Sequence, residues 1–228
     1  MVNRAQGLAT VSEYTEAIVR KNLEVGSLPL RVIPHGVEWS EQEEQKPKGP
    51  LPTGPFLFSI GTFFERKNFH VLLPLIERME GYSLVLAGNY HRPYGDRIRE
   101  EIRSRNLVDR VFLPGEVSTA EKTWLYAHCE AFVFPSISEG FGIPVIEAMR
   151  AGKPVFCSTH GSLPEVGGEN AFYWKDFDPD SMKSVFLEGM VQSRSHPEWK
   201  ERSLAHAQSF TWGRAAESYL SYYSELLQ

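Results

Sequence analysis

The chain has 228 residues, 42% of them hydrophobic and 23% charged, an ordinary globular composition that supports one well-buried domain with short additions. Its net charge of −5 argues against a nucleic-acid partner, because phosphate backbones are bound by an excess of Lys and Arg. Cys129 and Cys157 are the two cysteines, too few for a disulfide framework and pointing to a reduced, cytoplasmic setting, and no run of about 18 apolar residues spans a membrane.

In chain order, residues 10–22 read as the end of a strand followed by a helix, with Ser12 as its N-cap and Glu13 and Glu16 near its positive end. Leu30-Arg31-Val32-Ile33-Pro34 reads as a short strand. Residues 41–55, with Glu41, Glu43, Glu44, Lys46, Lys48 and several prolines, bury no apolar area and read as a linker. From Phe56 onward strand and helix patterns alternate, which argues for a parallel sheet with helices on both faces.

Phe56-Leu57-Phe58-Ser59-Ile60 is a buried-strand run ending at Gly61, and a helix is expected over residues 68–79. Between them stand Glu65-Arg66-Lys67-Asn68. Two adjacent cations between a strand's carboxyl end and a helix sit where open α/β sheets bind ligands, and a guanidinium fork beside an ammonium suits a diphosphate. Residues 83–88 read as the next strand, 94–105 as a charged helix and 110–115 as a further strand, after which Ser118 caps a helix running to about Cys129.

Ala131-Phe132-Val133-Phe134 is then a strand closed by Pro135 and Ser136, and Ser138-Glu139-Gly140-Phe141-Gly142-Ile143-Pro144 reads as a tight loop opening a helix. Glycines flanking one aromatic let the backbone turn sharply and let a ligand approach it, while Pro suits the helix start. Free amides and the positive end of the helix dipole meet there, favouring a phosphate or another electron-rich group. Glu139 and Glu147 frame the spot eight residues apart, and carboxylates accept hydrogen bonds from the paired hydroxyls of a sugar or ribose. A strand at residues 154–157 and the turn His160-Gly161-Ser162-Leu163-Pro164-Glu165 repeat the same grammar; helices follow over 181–192 and 197–208, and Thr211 caps a last one.

The combination Glu-Gly-Phe-Gly, Pro at the helix start and a second Glu at the eighth position resembles the Glu-x7-Glu signature of retaining glycosyltransferases of family 4, which have the two-domain GT-B fold. The resemblance covers roughly residues 10–228 and implies a Rossmann-like parallel sheet forming the C-terminal, donor-binding half of that fold. It implies that Glu139 contacts the donor sugar and is catalytic together with Arg66 and Lys67, that Arg66 and Lys67 neutralise the diphosphate, and that Glu147 binds ribose hydroxyls. Gly61, Gly88, Val117, Gly140, Phe141, Gly142 and Ile143 complete the implied donor site, with Val117 in the loop nearest the base.

By the same resemblance, residues 1–40 correspond to the end of an acceptor-side domain, 41–55 to the interdomain linker, 56–209 to the donor domain and 210–228 to a helix crossing back. Two full GT-B domains do not fit in 228 residues, so the acceptor side is expected from a separate polypeptide or from self-association, or the sequence is that of a truncated gene product, with little transfer by this chain alone. The implied partners are a nucleoside diphosphate sugar and an acceptor that is a glycan, a lipid-linked molecule or a small molecule. No cofactor or metal is expected, and the implied place is the cytoplasm or the cytoplasmic face of a membrane. Two alternatives remain open: a glycosidase using Glu139 and Glu147 as acid and nucleophile, disfavoured by the phosphate-type cations, and a non-catalytic nucleotide-sugar binding module.

Overall fold

The computed structural model describes residues 5–38 and 44–228; Glu41 and Glu43 of the expected linker lie outside the described residues. At the N-terminal side, β1 (Leu8–Thr10), α1 (Glu13–Asn22) and β2 (Leu30–Val32) form a unit in which the two strands pair in parallel. Ser12 caps α1 by accepting from the Thr15 amide, as its residue type predicts. β1 ends at Thr10, where the sequence reads the end of a strand before the helix.

The main sheet holds β3 (Phe56–Ile60), β4 (Ser83–Ala87), β5 (Val111–Gly115), β6 (Ala131–Phe134), β7 (Val155–Ser158) and β8 (Phe172–Trp174). All six are parallel, in the order β5-β4-β3-β6-β7-β8. Successive side chains alternate between two cores. Leu57, Leu84, Leu86, Ala131, Val133 and Phe156 meet one, which α2 (Leu72–Glu77), α3 (Pro93–Ser104) and α7 (Pro179–Ser195) cover. Phe56, Phe58, Val85, Ala87, Phe132, Phe134 and Cys157 meet the other, beneath α4 (Thr119–His128), α5 (Ile143–Arg150) and α6 (Leu163–Gly167), with Ala207 of α8 (Pro197–Gln208) added. Burial on both faces is why these strands read as near-continuous apolar runs.

Two local expectations are corrected. In place of one helix over 68–79, a 3-10 turn at Phe69–Val71 precedes a six-residue α2. Pro74 explains it: its ring clashes with the carbonyl four residues earlier, so α geometry does not extend back across His70. β8 was not anticipated, being three aromatic residues long; its place is set by stacking of Phe172 and Trp174 on Phe156, with ring centroids 5.0 and 6.2 Å apart.

The strand of residues 30–33 and the terminal helix cover each other. In α9 (Trp212–Leu226), Ala215 and Tyr222 pack with Ile33, and the Tyr222 hydroxyl donates to the Pro29 carbonyl at 2.7 Å. Trp212 and Tyr223 of the same helix stay exposed.

Ser118 and Glu121 form a reciprocal capping box at the start of α4. Ser118→Ala is expected to cost about 1 kcal/mol, read as a shift in the urea midpoint with an unchanged slope.

Candidate functional site

The strand order reverses at β3. The chain proceeds from it to β4 and β5 on one side, then returns to place β6 on the other. In open α/β sheets the crevice at such a switch point, outside the carboxyl ends of the strands, is where ligands bind. Arg66, Lys67, Glu139 and Glu147 gather around the segments leaving β3 and β6, whereas Gly88 and Val117 follow β4 and β5.

Beyond β3 the backbone passes Gly61 and makes a 3-10 turn, Glu65–Lys67, closed by Asn68 in the left-handed region at φ 57°, a conformation Asn tolerates. Glycine is required where β3 and β4 end: a Cβ on Gly88 would stand 2.1 Å from the Gly61 carbonyl oxygen, and one on Gly61 would stand 2.9 Å from Cε of Lys67. That closeness lets the Lys67 stem lie back over the strand end, its ammonium 4.6 Å from the Phe134 ring centroid. Lys67 is only 7% exposed, whereas Arg66 is exposed.

The two exits are stitched together. The Arg66 carbonyl accepts from the Ile137 amide at 2.8 Å, and Ser136 Oγ lies 2.9 Å from it. Three donors then converge on one oxygen, Oε1 of Glu139: Lys67 Nζ at 2.7 Å, Ser136 Oγ at 2.7 Å and Arg66 Nη1 at 3.0 Å. Oε2 of Glu139 takes no hydrogen bond among the described residues. Burial pushes the Lys67 pKa down, and the Glu139 carboxylate acts against that shift. The carboxylate is thus locked in direction through one oxygen, with the other left for an incoming hydroxyl, and Lys67 retains further N–H donors.

Glu147 sits in α5 and is 8% exposed. Its Oε1 accepts from Lys122 Nζ and its Oε2 from the Tyr126 hydroxyl at 2.9 Å. Burial first, then Glu147 itself, push the Tyr126 phenol well above its usual pKa, which keeps it a donor. Each carboxylate oxygen still has acceptor capacity for a diol.

Between the two acids, Gly142 is the N-cap of α5 at φ 116°, Ile143 is its exposed first residue, and Pro144 stands second in the helix. No side chain caps this helix start, which leaves backbone amides and the dipole to meet an anion. Gly140 is exposed, but the Phe141 ring is buried against His35 and Phe210, so Phe141 offers a ligand its backbone alone. Val117 packs half-buried on the core beneath α4.

Sequence reasoning missed Ser136, Ser162, Lys122 and Tyr126. Lys122 and Tyr126 had a signal, since residues four apart share one helix face; their target on another helix did not. Ser162 donates its hydroxyl to the Phe141 carbonyl at 2.7 Å and its amide to that of Glu139 at 3.3 Å, a role its place in a small-residue turn does not announce. A groove at the opposite, amino-terminal edge of β6 and β7 also gathers cations, Lys153, Arg194 and Lys200. There Arg194 is paired with Glu130 at 2.8 Å, and that edge is not where such sheets bind ligands.

Known proteins place this architecture. The chain is 34% identical over 178 residues to O-antigen chain mannosyltransferase B of Escherichia coli, an alignment covering 73% of this chain and 45% of that protein. It superposes on sucrose-phosphate synthase of Thermosynechococcus elongatus with a TM-score of 0.82 at 22% identity, covering 99% of this chain and 59% of that one. On Anabaena Alr3699/HepE, solved with UDP and glucose, the TM-score is 0.77 at 16% identity, covering 96% and 63%. The chain thus spans about half the length of the curated mannosyltransferase and less than two thirds of these structures. Its six-stranded α/β sheet is that of GT-B glycosyltransferases. With the profile of glycosyl transferases group 1 matching residues 41–201, more than half of the sequence, the chain belongs to that family.

Proposed function

We propose that this chain is the donor-binding part of a retaining, metal-independent glycosyltransferase of family 4, moving a hexosyl group from a nucleoside diphosphate sugar to an acceptor hydroxyl. The observation that carries the reading is the convergence of Arg66, Lys67 and Ser136 on one oxygen of Glu139 at the sheet's switch point. The mannosyltransferase relative supports mannose as the sugar, and the neighbour holding UDP and glucose supports a nucleotide in this crevice.

In this mechanism the nucleoside diphosphate leaves as its bond to the sugar breaks. The Arg66 guanidinium, the Lys67 ammonium and the amides at the start of α5 stabilise the charge that develops on it, a preorganised electrostatic contribution of the kind that usually dominates catalysis. Glu139 Oε2 holds the sugar through a hydroxyl, Glu147 takes the ribose diol, and the acceptor hydroxyl attacks from the face the diphosphate leaves, passing its proton to the departing diphosphate oxygen, which retains configuration. Residues 5–38 correspond in this reading to the end of an acceptor-side domain, the cytoplasmic face of a membrane being the proposed place of work.

Thermal shift against a panel of nucleotide sugars, followed by transfer from the best radiolabelled one to candidate acceptors, tests the proposal. The 228-residue polypeptide alone should bind the donor yet give little or no multiple-turnover transfer, because the relatives devote about as much chain again to the remainder of the enzyme. Robust turnover by the purified chain would contradict that donor-only role. The alternative, a non-catalytic binding module, predicts no transfer even when an acceptor-side polypeptide is supplied.

A further inference from the structure

Three successive carbonyls of the Glu-Gly-Phe-Gly loop accept hydrogen bonds, and the middle one is held from the N-terminal unit. Gly140 O accepts from Ser12 Oγ at 2.7 Å and from Thr15 Oγ1 at 3.0 Å, both at the start of α1. Ser162 holds the carbonyls on either side, that of Phe141 through its hydroxyl at 2.7 Å and that of Glu139 through its amide at 3.3 Å. A trans peptide is planar, with its C=O and N–H antiparallel, so fixing these three carbonyls fixes the directions of the Gly140→Gly142 run of amides, those of Gly140, Phe141 and Gly142.

The contact is returned. Glu165, in the first turn of α6, accepts from the amides of Glu13 (2.8 Å) and Tyr14 (3.3 Å). Those are among the helix-start donors that no intrahelical carbonyl can reach, and a carboxylate is favoured at that end of the dipole. α1 itself has no buried residue, so apolar packing does not hold it in place here; the reciprocal polar contacts do.

We propose that Ser12 and Thr15 are positioning residues of the donor site. Their hydroxyls, supplied from before the linker, set the loop amides that meet the nucleotide sugar, and Glu165 keeps α1 where they reach. The inference rests on the donor-binding reading for its ligand, but the hold on the loop stands on geometry alone. Because coupling between two binding events is reciprocal, a bound nucleotide sugar should in turn strengthen the docking of α1.

The test compares Ser12→Gly/Thr15→Val, which removes both hydroxyls while leaving a tolerated N-cap, with Ser12→Thr/Thr15→Ser, which keeps them. In the ligand-free chain, ¹⁵N order parameters at Gly140, Phe141 and Gly142 should fall from about 0.85 toward 0.6 in the first variant and stay rigid in the second. Titrated with GDP-mannose and with UDP-glucose, the first variant should bind the preferred donor about tenfold more weakly at an unchanged melting temperature, and the second should restore wild-type affinity. Unchanged order parameters overturn the proposal, as does a loosened loop with undiminished donor affinity. If the wild-type chain binds neither nucleotide sugar, the donor reading falls separately, and the order parameters alone decide whether the hydroxyls hold the loop.

Discussion

Arg66→Ala combined with Lys67→Met should reduce the affinity for a nucleoside diphosphate at least about tenfold by calorimetry, since each charged hydrogen bond lost is worth roughly 1.5–3 kcal/mol. The two positions should nevertheless separate in stability. Arg66 is exposed and its removal should leave the melting temperature nearly unchanged. Lys67 is 7% exposed and pairs with a carboxylate whose side chain is 11% exposed. Losing Lys67 leaves Glu139 to Arg66 and Ser136, so the cost should be real but smaller than the about 3–5 kcal/mol of a buried charge left with no partner. Lys67→Met with Glu139→Gln removes both charges and should recover most of that stability without recovering affinity. Binding that survives the Arg66/Lys67 double variant would remove the pair from the phosphate site.

The two carboxylates should divide the ligand between them. Glu147→Gln should weaken binding of the free nucleotide, because the ribose is present with or without a sugar and the amide leaves Lys122 without its ionic partner. Glu139→Gln should spare the free nucleotide and weaken the intact nucleotide sugar, with a loss of about tenfold or more if the sugar contact is a charged hydrogen bond. Equal losses for both ligands in both variants would contradict the assignment. Each variant keeps the shape and one carbonyl acceptor of the original, so a fall confined to one ligand reports on chemistry rather than on unfolding.

The candidate site was legible where its chemistry is local. Arg66 and Lys67 lie a few residues past a strand, and Glu139, Gly142, Pro144 and Glu147 lie within one loop and the helix it opens, so strand runs, glycine and proline placement and helix-start rules pick out each group, and the family resemblance is what joins the two. Lys122 and Tyr126 were not legible as partners of Glu147, because their helix meets α5 only after both pack on the same face of the sheet. Phe141 was read as part of the donor site when its ring is core; an aromatic between two glycines looks the same in sequence whether it faces ligand or interior.

By itself the sequence determined a parallel α/β sheet covered on both faces, its helix starts at Ser12, Ser118 and Thr211, and the residues leaving β3 and β6. Those follow from side-chain periodicity and capping chemistry, which act within a few residues. Tertiary structure decided the strand order that makes β3 and β6 neighbours, the pairing of β1 with β2, the three-residue strand β8, the locking of Glu139 through a single oxygen, and the hold of Ser12 and Thr15 on Gly140. Each of these joins residues distant in the chain, and only packing of the two cores selects which distant groups meet.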